Sequence, residues 1–370
     1  MMASLDESIT ISPSIVSVQE LIKRPLGSVP ESFIRLEQAP HEPPLNSDNL
    51  PSIPTIDLKK LLESSDKSLN DELKRLHFSC KEWGMFQLVN HGVSSSFLQK
   101  LRHEIEEFFK LPLEEKVKYK QNPGENEGYG NVVRTEKNLL DWGDRLLMTI
   151  NPISLRKPHL FPELPASLRN TLETYIKGLQ EIAIQILRSL ALCLDIDKDL
   201  IIDIFEEDKG LQLMKMSYYP PCLQPELVVG LTPHSDATAI TILHQINCVD
   251  GLQIKRNGVW LPVNILPDVF IVNIGDVMEI LSNGTYRSIE HRAMVNTEHE
   301  RITLALFFNP KLDAEVGPAA SLIDPNNPAS LFRRITLDKF VKEFFSHKMD
   351  GKSHLDRLRL TGDDEVNETQ

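Results

Sequence analysis

Leu231-Thr-Pro-His-Ser-Asp236, followed by His291 and then by Arg301-Ile-Thr-Leu-Ala-Leu-Phe-Phe308, is the text whose reading decides the fold. His234 and Asp236 are two apart. In an extended strand, residues i and i+2 face the same way, so one imidazole and one carboxylate converge on a point. His291 comes fifty-five residues after Asp236. The fold must deliver a partner so remote, which suits a sheet where distant strands lie side by side. Two histidines and one carboxylate on one face of an octahedron leave three positions open, the arrangement of non-haem Fe(II) oxygenases. A zinc hydrolase uses the same residue types, so the ligands alone leave the metal open.

Arg301 narrows the chemistry. It begins an apolar run in which residues 301, 303, 305 and 307 share one strand face, so Arg301 and Thr303 point together. A planar guanidinium binds a carboxylate through two parallel hydrogen bonds, and a neighbouring hydroxyl adds a third. Such a pair is a receptor for the far carboxylate of a dicarboxylic acid whose other end chelates the metal. Phe307 shares the Arg301 face, Asn309 continues the alternation, and Lys215 shares a face with Tyr219.

Composition bounds the rest. A chain of 370 residues can build one large core with a smaller appended portion. Its net charge of −13 argues against nucleic acid or an anionic membrane as partner. Cys80, Cys193, Cys222 and Cys248 form no C-x-x-C pair and are expected as reduced thiols. No secretory segment opens the chain, and the apolar stretch Ile182 to Leu194 is broken by Gln185 and Arg188, as in a packed helix. A cytoplasmic protein is expected, and a monomer, since no heptad or long apolar stripe is evident. A phosphate-binding G-x-G-x-x-G after a strand, a Walker lysine and a G-x-S-x-G elbow are all missing.

Along the chain, residues 1–52 are proline-rich and read as a peripheral arm, with Ser17-x-x-Glu20 capping a short helix over 18–23. Residues 53–205 read as a mixed amino-terminal portion. A strand is expected at 53–58, and a helix through Leu69, Leu73, Leu76, Cys80 and Trp83 that ends at Gly84. There follow a strand at 85–90, a helix through Phe97, Leu101, Ile105 and Phe109, a loop at 122–138, and a strand over 141–148. Leu168 to Leu190 mark a long amphipathic helix, with a short one at 200–205. From 206 to 313 short β-rich runs (214–219, 238–243, 259–263, 269–272, 301–308) alternate with Pro, Gly and Asn turns, as in a sandwich or jelly roll. Residues 314–360 end in a helix capped by Thr336, and the polar tail 361–370 is expected to be disordered. His91 reads as a turn residue; His244, His299, His347 and His354 match no ligand spacing.

A resemblance completes the picture. Trp83-Gly-Met-Phe-Gln-Leu-Val-Asn-His-Gly92, Tyr218-Tyr-Pro-Pro-Cys222, Gly230-Leu-Thr-Pro-His-Ser-Asp236, Asn273-Ile-Gly-Asp276 and Tyr286-Arg-Ser-Ile-Glu-His-Arg292 resemble plant 2-oxoglutarate- and Fe(II)-dependent dioxygenases, and the likeness runs from about residue 15 to 355. Lys157-Pro-His-Leu-Phe-Pro-Glu-Leu164 and Asp350-Gly-Lys-Ser353 point to the group of the poppy alkaloid O-demethylases. The resemblance implies a mainly β core in a mixed α/β chain, a double-stranded β-helix (jelly roll) with helices outside. It implies iron on His234, Asp236 and His291, and 2-oxoglutarate on Arg301 and Thr303 with Tyr219 as a further donor. O2 would be co-reactant and ascorbate reductant, with succinate and CO2 as products. It also implies that the loop at 122–138 and the strand after it reach over a substrate cavity. Arg145, Leu147, Lys215, Phe307 and Asn309 would line that cavity, holding a small plant specialised metabolite such as an alkaloid, phenylpropanoid or terpenoid. Two positions depart from the family pattern: Thr303 stands where Ser is usual, and Ser217 where Asn is common. Hydroxylation, O-demethylation and desaturation all remain open. So do an iron oxidase without 2-oxoglutarate, a non-oxidative condensing enzyme and a binding protein on the same scaffold.

Overall fold

Alternation along three neighbouring strands sets the architecture. In β4 (Asp144–Asn151), β5 (Gly210–Tyr219) and β12 (Arg301–Lys311), the even-numbered Leu146, Met148, Met214, Met216, Ile302, Leu304 and Leu306 enter the main core. Odd-numbered Leu147, Lys215, Tyr219 and Phe307 face the other side, where cavities open. A period of two with different surroundings on each face is what a pleated strand between a core and a site produces. β12 runs antiparallel to β5, with Arg301 opposite Tyr219 and Thr303 opposite Ser217, and β4 pairs with the other edge of β5, placing Leu147 opposite Lys215.

The computed structural model describes residues 16–36, 52–63, 66–131, 139–197, 203–205, 208–323, 330–346 and 351–360. An eight-stranded sheet runs β1 (Thr55–Asp57), β2 (Met85–Val89), β10 (Phe270–Ile274), β7 (Ile240–Gln245), β12, β5, β4 and β3 (Gly128–Gly130). A four-stranded sheet runs β6 (Leu231–His234), β11 (His291–Ala293), β8 (Leu252–Arg256) and β9 (Val259–Pro262). Together they form the expected jelly roll, and β13 (Glu315–Val316) pairs with β14 (Ile335–Thr336) beside it. Strands from the amino-terminal half extend the larger sheet at both edges.

Helices α1 (Val18–Leu21), α2 (Leu58–Glu63), α3 (Asp66–Phe78), α4 (Ser95–Lys110), α5 (Leu113–Lys116) and α6 (Ala166–Cys193) precede the core strands, while α7 (Asp276–Leu281), α8 (Leu337–Ser346) and α9 (Ser353–Asp356) come later. α6 buries Leu168, Leu172, Tyr175, Leu179, Ile182, Ile186 and Leu190, a stripe at helical spacing. Each fully buried Leu or Ile there contributes about 2 kcal/mol, and Leu172→Ala would cost about 2–5 kcal/mol through the cavity it leaves. Gly84 closes the turn after α3 in the left-handed region (φ 64°), its N–H bonded to the Ser79 carbonyl, a conformation that glycine adopts without steric cost.

Several expectations shift. The described part of the arm, residues 16–36, is not peripheral: Val18, Leu21 and Phe33 pack with Trp142, Tyr219 and Val228 in a second core. Proline shortens regular elements but does not prevent burial. Ser17 caps α1 as its spacing implies, accepting from the Glu20 N–H, and it also donates to Asp144 at 2.6 Å. The helix stops at Leu21, and the strand expected at 53–58 yields to α2 at Leu58. Within the expected loop, Gly128–Gly130 forms an edge strand on β4, because its backbone finds a partner that its composition does not advertise. The strand expected from 141 begins at Asp144. Thr336 ends β14 immediately before α8. Of the helix expected at 200–205, residues 203–205 are helical and the rest lies outside the described residues, as do His347 and the tail from 361. Strands β6, β8, β11, β13 and β14 and helices α5, α7 and α9 had no counterpart among the expected elements.

Candidate active site

His234 ends β6 and His291 opens β11, and the two strands pair with these histidines directly opposite each other. Their ring centroids are 4.3 Å apart. Asp236 lies just past the end of β6, with Oδ1 3.4 Å from His234 Nε2 and 3.8 Å from His291 Nε2. One ligand atom from each of the three buried residues lies within 4.8 Å of the others.

Each donor is oriented from behind. Nδ1 of His234 is 2.8 Å from the Thr232 carbonyl, and Nδ1 of His291 is 3.1 Å from that of Ile289. A carbonyl only accepts, so both rings carry their proton on Nδ1 and turn the Nε2 lone pair inward. Oδ2 of Asp236 accepts from the Thr241 hydroxyl at 2.7 Å and the Asn273 amide at 2.8 Å, which leaves Oδ1 to the centre. Thr241 and Asn273 are themselves cross-strand partners on β7 and β10. Burial alone would raise the Asp236 carboxyl, but His291, His234 and the Asn273 bond hold it below the usual carboxylate range. Burial, then the neighbouring His234, pushes the His291 imidazole down to about 4, so it is neutral, the form that binds a metal. Two imidazoles and a carboxylate, with cavities opening on them among the described residues, fit an Fe(II) centre.

From this centre a cavity of about 490 Å³ reaches Arg301 and Thr303. Arg301 is 2 % exposed. Its Nε and Nη2 donate to Gln245 Oε1 and its Nε to the Val249 carbonyl, and among the described residues no carboxylate forms an ion pair with it. A buried guanidinium bonded to neutral acceptors, with Asp250 acting on it from beyond ion-pair distance, has no anion in contact, and the carboxylate end of a cosubstrate supplies one. Gly251 permits this placement, since a Cβ there would come within 3.0 Å of Arg301 Cδ. Burial pushes the Tyr219 hydroxyl up, and Arg301, Ser217 and Thr303 beside it pull it part of the way back. The two departures from the family pattern are thus register partners: the shorter Ser217 lies opposite the longer Thr303.

A second cavity, about 950 Å³ and mostly apolar, opens on the same histidine and aspartate. Arg145, Leu147, Lys215, Phe307 and Asn309, all expected there, line it. Leu213, Val341, Phe344 and Phe345 line it too. Sequence reasoning missed these four; the signal was the paired phenylalanines near the end of an amphipathic helix. Thr241 and Asn273 were missed as well, although Asn273 opens a quoted motif. His91 is structural, with Nε2 2.8 Å from the Asp268 carbonyl and its ring stacked on Phe270. His354 packs on Phe340 and Phe344, and His244 is buried.

Comparison with known proteins agrees with this geometry. Residues 210–310 match the model of the 2OG-Fe(II) oxygenase superfamily, and residues 53–164 match the amino-terminal region of non-haem dioxygenases in morphine synthesis. The chain is 46 % identical to oxoglutarate-dependent flavonoid 7-O-demethylase 1 of Ocimum basilicum, over 94 % of this chain and 92 % of that protein. It is 45 % identical to codeine O-demethylase of Papaver somniferum, over 94 % of this chain and 96 % of that one. Among solved structures, JOX2 in complex with 2OG, Fe and JA superposes with a TM-score of 0.84 at 35 % identity, covering 94 % of this chain and 98 % of JOX2. No helix among the described residues is long and apolar enough to cross a membrane. With relatives this similar over nearly the whole length, the chain belongs to the 2OG-Fe(II) oxygenase superfamily and is a 2-oxoglutarate-dependent non-haem iron dioxygenase.

Proposed function

We propose that the enzyme hydroxylates or O-demethylates a small, largely apolar specialised metabolite. The observation that carries this is the continuity of three features: the His234–Asp236–His291 centre, the buried Arg301 at the far end of one cavity, and a second cavity of about 950 Å³ on the same centre. His234, Asp236 and His291 would hold the iron, and Arg301, Thr303 and Tyr219 the distal carboxylate of 2-oxoglutarate. Bound iron with 2-oxoglutarate and O2 supplies the oxidising chemistry, with succinate and CO2 as co-products. The chain's own part is placement. Leu147, Leu213, Phe307, Phe344 and Phe345 line the larger cavity, where they exclude water and press the substrate toward the centre. Choice among C–H bonds then follows from positioning to within about an ångström. Three O-demethylases among the relatives support removal of an O-methyl group. An iron oxidase without 2-oxoglutarate would leave the buried Arg301 with no anion in contact among the described residues. We read the protein as a cytoplasmic monomer, with 1–52, 53–205, 206–313, 314–360 and 361–370 as its units.

Anaerobic titration of the protein with Fe(II) and 2-oxoglutarate tests this, read by the visible charge-transfer band of the chelate, with Arg301→Ala alongside. A band that weakens in the variant is expected. Iron binding without a band would instead favour the 2-oxoglutarate-independent oxidase, and failure to bind iron a binding or condensing protein. Succinate release with methoxylated flavonoids and alkaloids then identifies the substrate.

A further inference from the structure

We propose that Arg35, from the amino-terminal arm, is a positioning residue for the metal centre. With Asp141 it clamps the Thr232 peptide, whose carbonyl sets the orientation of His234. The inference rests on the reading of His234 as an iron ligand.

The strand itself creates the need for a clamp. β6 and β11 pair at His234 with His291 and at Leu231 with Ala293, so Thr232 and Pro233 stand opposite the single Arg292. An extra residue of this kind interrupts the ladder and leaves the local backbone without its regular partner. Pro233 has no N–H to give in any case. Yet the Thr232 carbonyl, 2.8 Å from His234 Nδ1, is what keeps the Nε2 lone pair turned inward. Its direction has to be fixed from outside the ladder.

Asp141 and Arg35 do this together. Asp141 Oδ1 accepts from the Thr232 N–H at 3.2 Å and from the Thr232 hydroxyl at 2.6 Å. Arg35 Nη2 donates both to that same Oδ1 and to Thr232 Oγ1, each at 3.1 Å. Thr232 is therefore held at its N–H and at both the donor and the acceptor side of its hydroxyl. The arm is pinned in turn. The Arg35 N–H donates to the Leu227 carbonyl and the Leu140 N–H to the Ser32 carbonyl, each at 2.7 Å, and Phe33 packs edge-on against Trp142 with ring centroids 5.2 Å apart. Energetics favour a role in placement over one in stability. Arg35 is 4 % exposed, and its Nε has no partner among the described residues. Burying a guanidinium and a carboxylate costs about as much as their attraction returns, and a buried N–H left without an acceptor adds to that cost. What the pair contributes is a fixed geometry at the residue next but one to its ligand.

The experiment uses the full chain with Thr232→Val, Thr232→Ser, Arg35→Met and Leu21→Ala. Valine keeps the shape of threonine without the hydroxyl, and serine keeps the hydroxyl. Leu21→Ala loosens the packing of the arm in the second core without touching the clamp. Two properties are read: Fe(II) affinity by anaerobic titration with 2-oxoglutarate, and the His234 tautomer in the metal-free protein by nitrogen NMR of isotope-labelled histidine, assigned by its loss in His234→Gln. Thr232→Val and Arg35→Met should each lower iron affinity about tenfold, as losing an outer partner of a metal-bound histidine does. Both should also move part of the His234 population from the Nδ1–H to the Nε2–H tautomer. Thr232→Ser should match wild type in both readings, and Leu21→Ala should lower the Tm and change neither. A folded Thr232→Val protein with wild-type affinity and tautomer overturns the proposal. So does a Leu21→Ala protein that loses iron as Arg35→Met does, which would make the packing of the arm responsible and not its arginine. If Arg35→Met does not fold, the valine and serine variants decide by the same two readings. Wild type that binds no iron would defeat the metal reading itself, while the tautomer comparison, made without metal, would still uphold or overturn the clamp.

Discussion

Asn273→Leu tests how the carboxylate ligand is held. Asn273 is buried on β10 and donates to Asp236 Oδ2 at 2.8 Å, beside the Thr241 hydroxyl at 2.7 Å. Leucine matches asparagine in shape but donates nothing. A hydrogen bond to a charged group is worth about 1.5–3 kcal/mol. Removing an outer partner of a ligand lowers metal affinity about 10–100-fold, or about 1.4–2.7 kcal/mol, a similar size. Combining Asn273→Leu with Thr241→Val leaves Oδ2 with neither donor and should lower the affinity further than either single change. Anaerobic Fe(II) titration in the presence of 2-oxoglutarate measures the affinity, and near-ultraviolet circular dichroism checks that the fold persists. A folded Asn273→Leu protein with wild-type iron affinity would refute the claim that this bond orients the ligand.

Other consequences follow from the same geometry. At 2-oxoglutarate 100-fold above its Kd, wild type with iron should gain about 2.7 kcal/mol of stability; Arg301→Met should gain almost none, and a thermal melt with and without the cosubstrate reads the difference. Burial, with His91 adding to it, lowers the His244 imidazole to about 4. The folded protein then resists a proton that the unfolded chain accepts below about 6.5, so stability is full above that pH and falls by roughly 3 kcal/mol on the way to pH 4; His244→Leu should flatten that acid slope in urea melts. Glu279 accepts from Lys352 and Arg359, each at 2.6 Å, and from the Ser288 N–H at 2.7 Å. The segment thus tied down includes Gly351, whose carbonyl accepts from the Ser235 N–H between two of the candidate ligands. Glu279→Gln should free it and speed amide exchange at Ser235 by about tenfold, equivalent to about 1.4 kcal/mol; unchanged protection there would show that the ion pairs do not hold the segment.

What the sequence determined by itself was whatever has a local period. His234 and Asp236 share a side because they are two apart near the end of an extended run. Arg301, Thr303, Phe307 and Asn309 fall on one face of one strand, and the stripe of α6 repeats at helical spacing. Backbone geometry over a few residues decides each of these, so they are legible without neighbours. Tertiary structure decided what depends on register between distant segments. β6, β8 and β11 are three to five residues long, too short to show a period, yet the pairing of β6 with β11 is what sets His291 opposite His234. Thr241 and Asn273 become support for Asp236 only because β7 and β10 lie side by side. Val18, Leu21 and Phe33 of the arm became core, and Phe344 and Phe345 became cavity wall, because burial is settled by which surfaces meet. Meeting depends on the packing of the whole chain, which no short window of sequence contains.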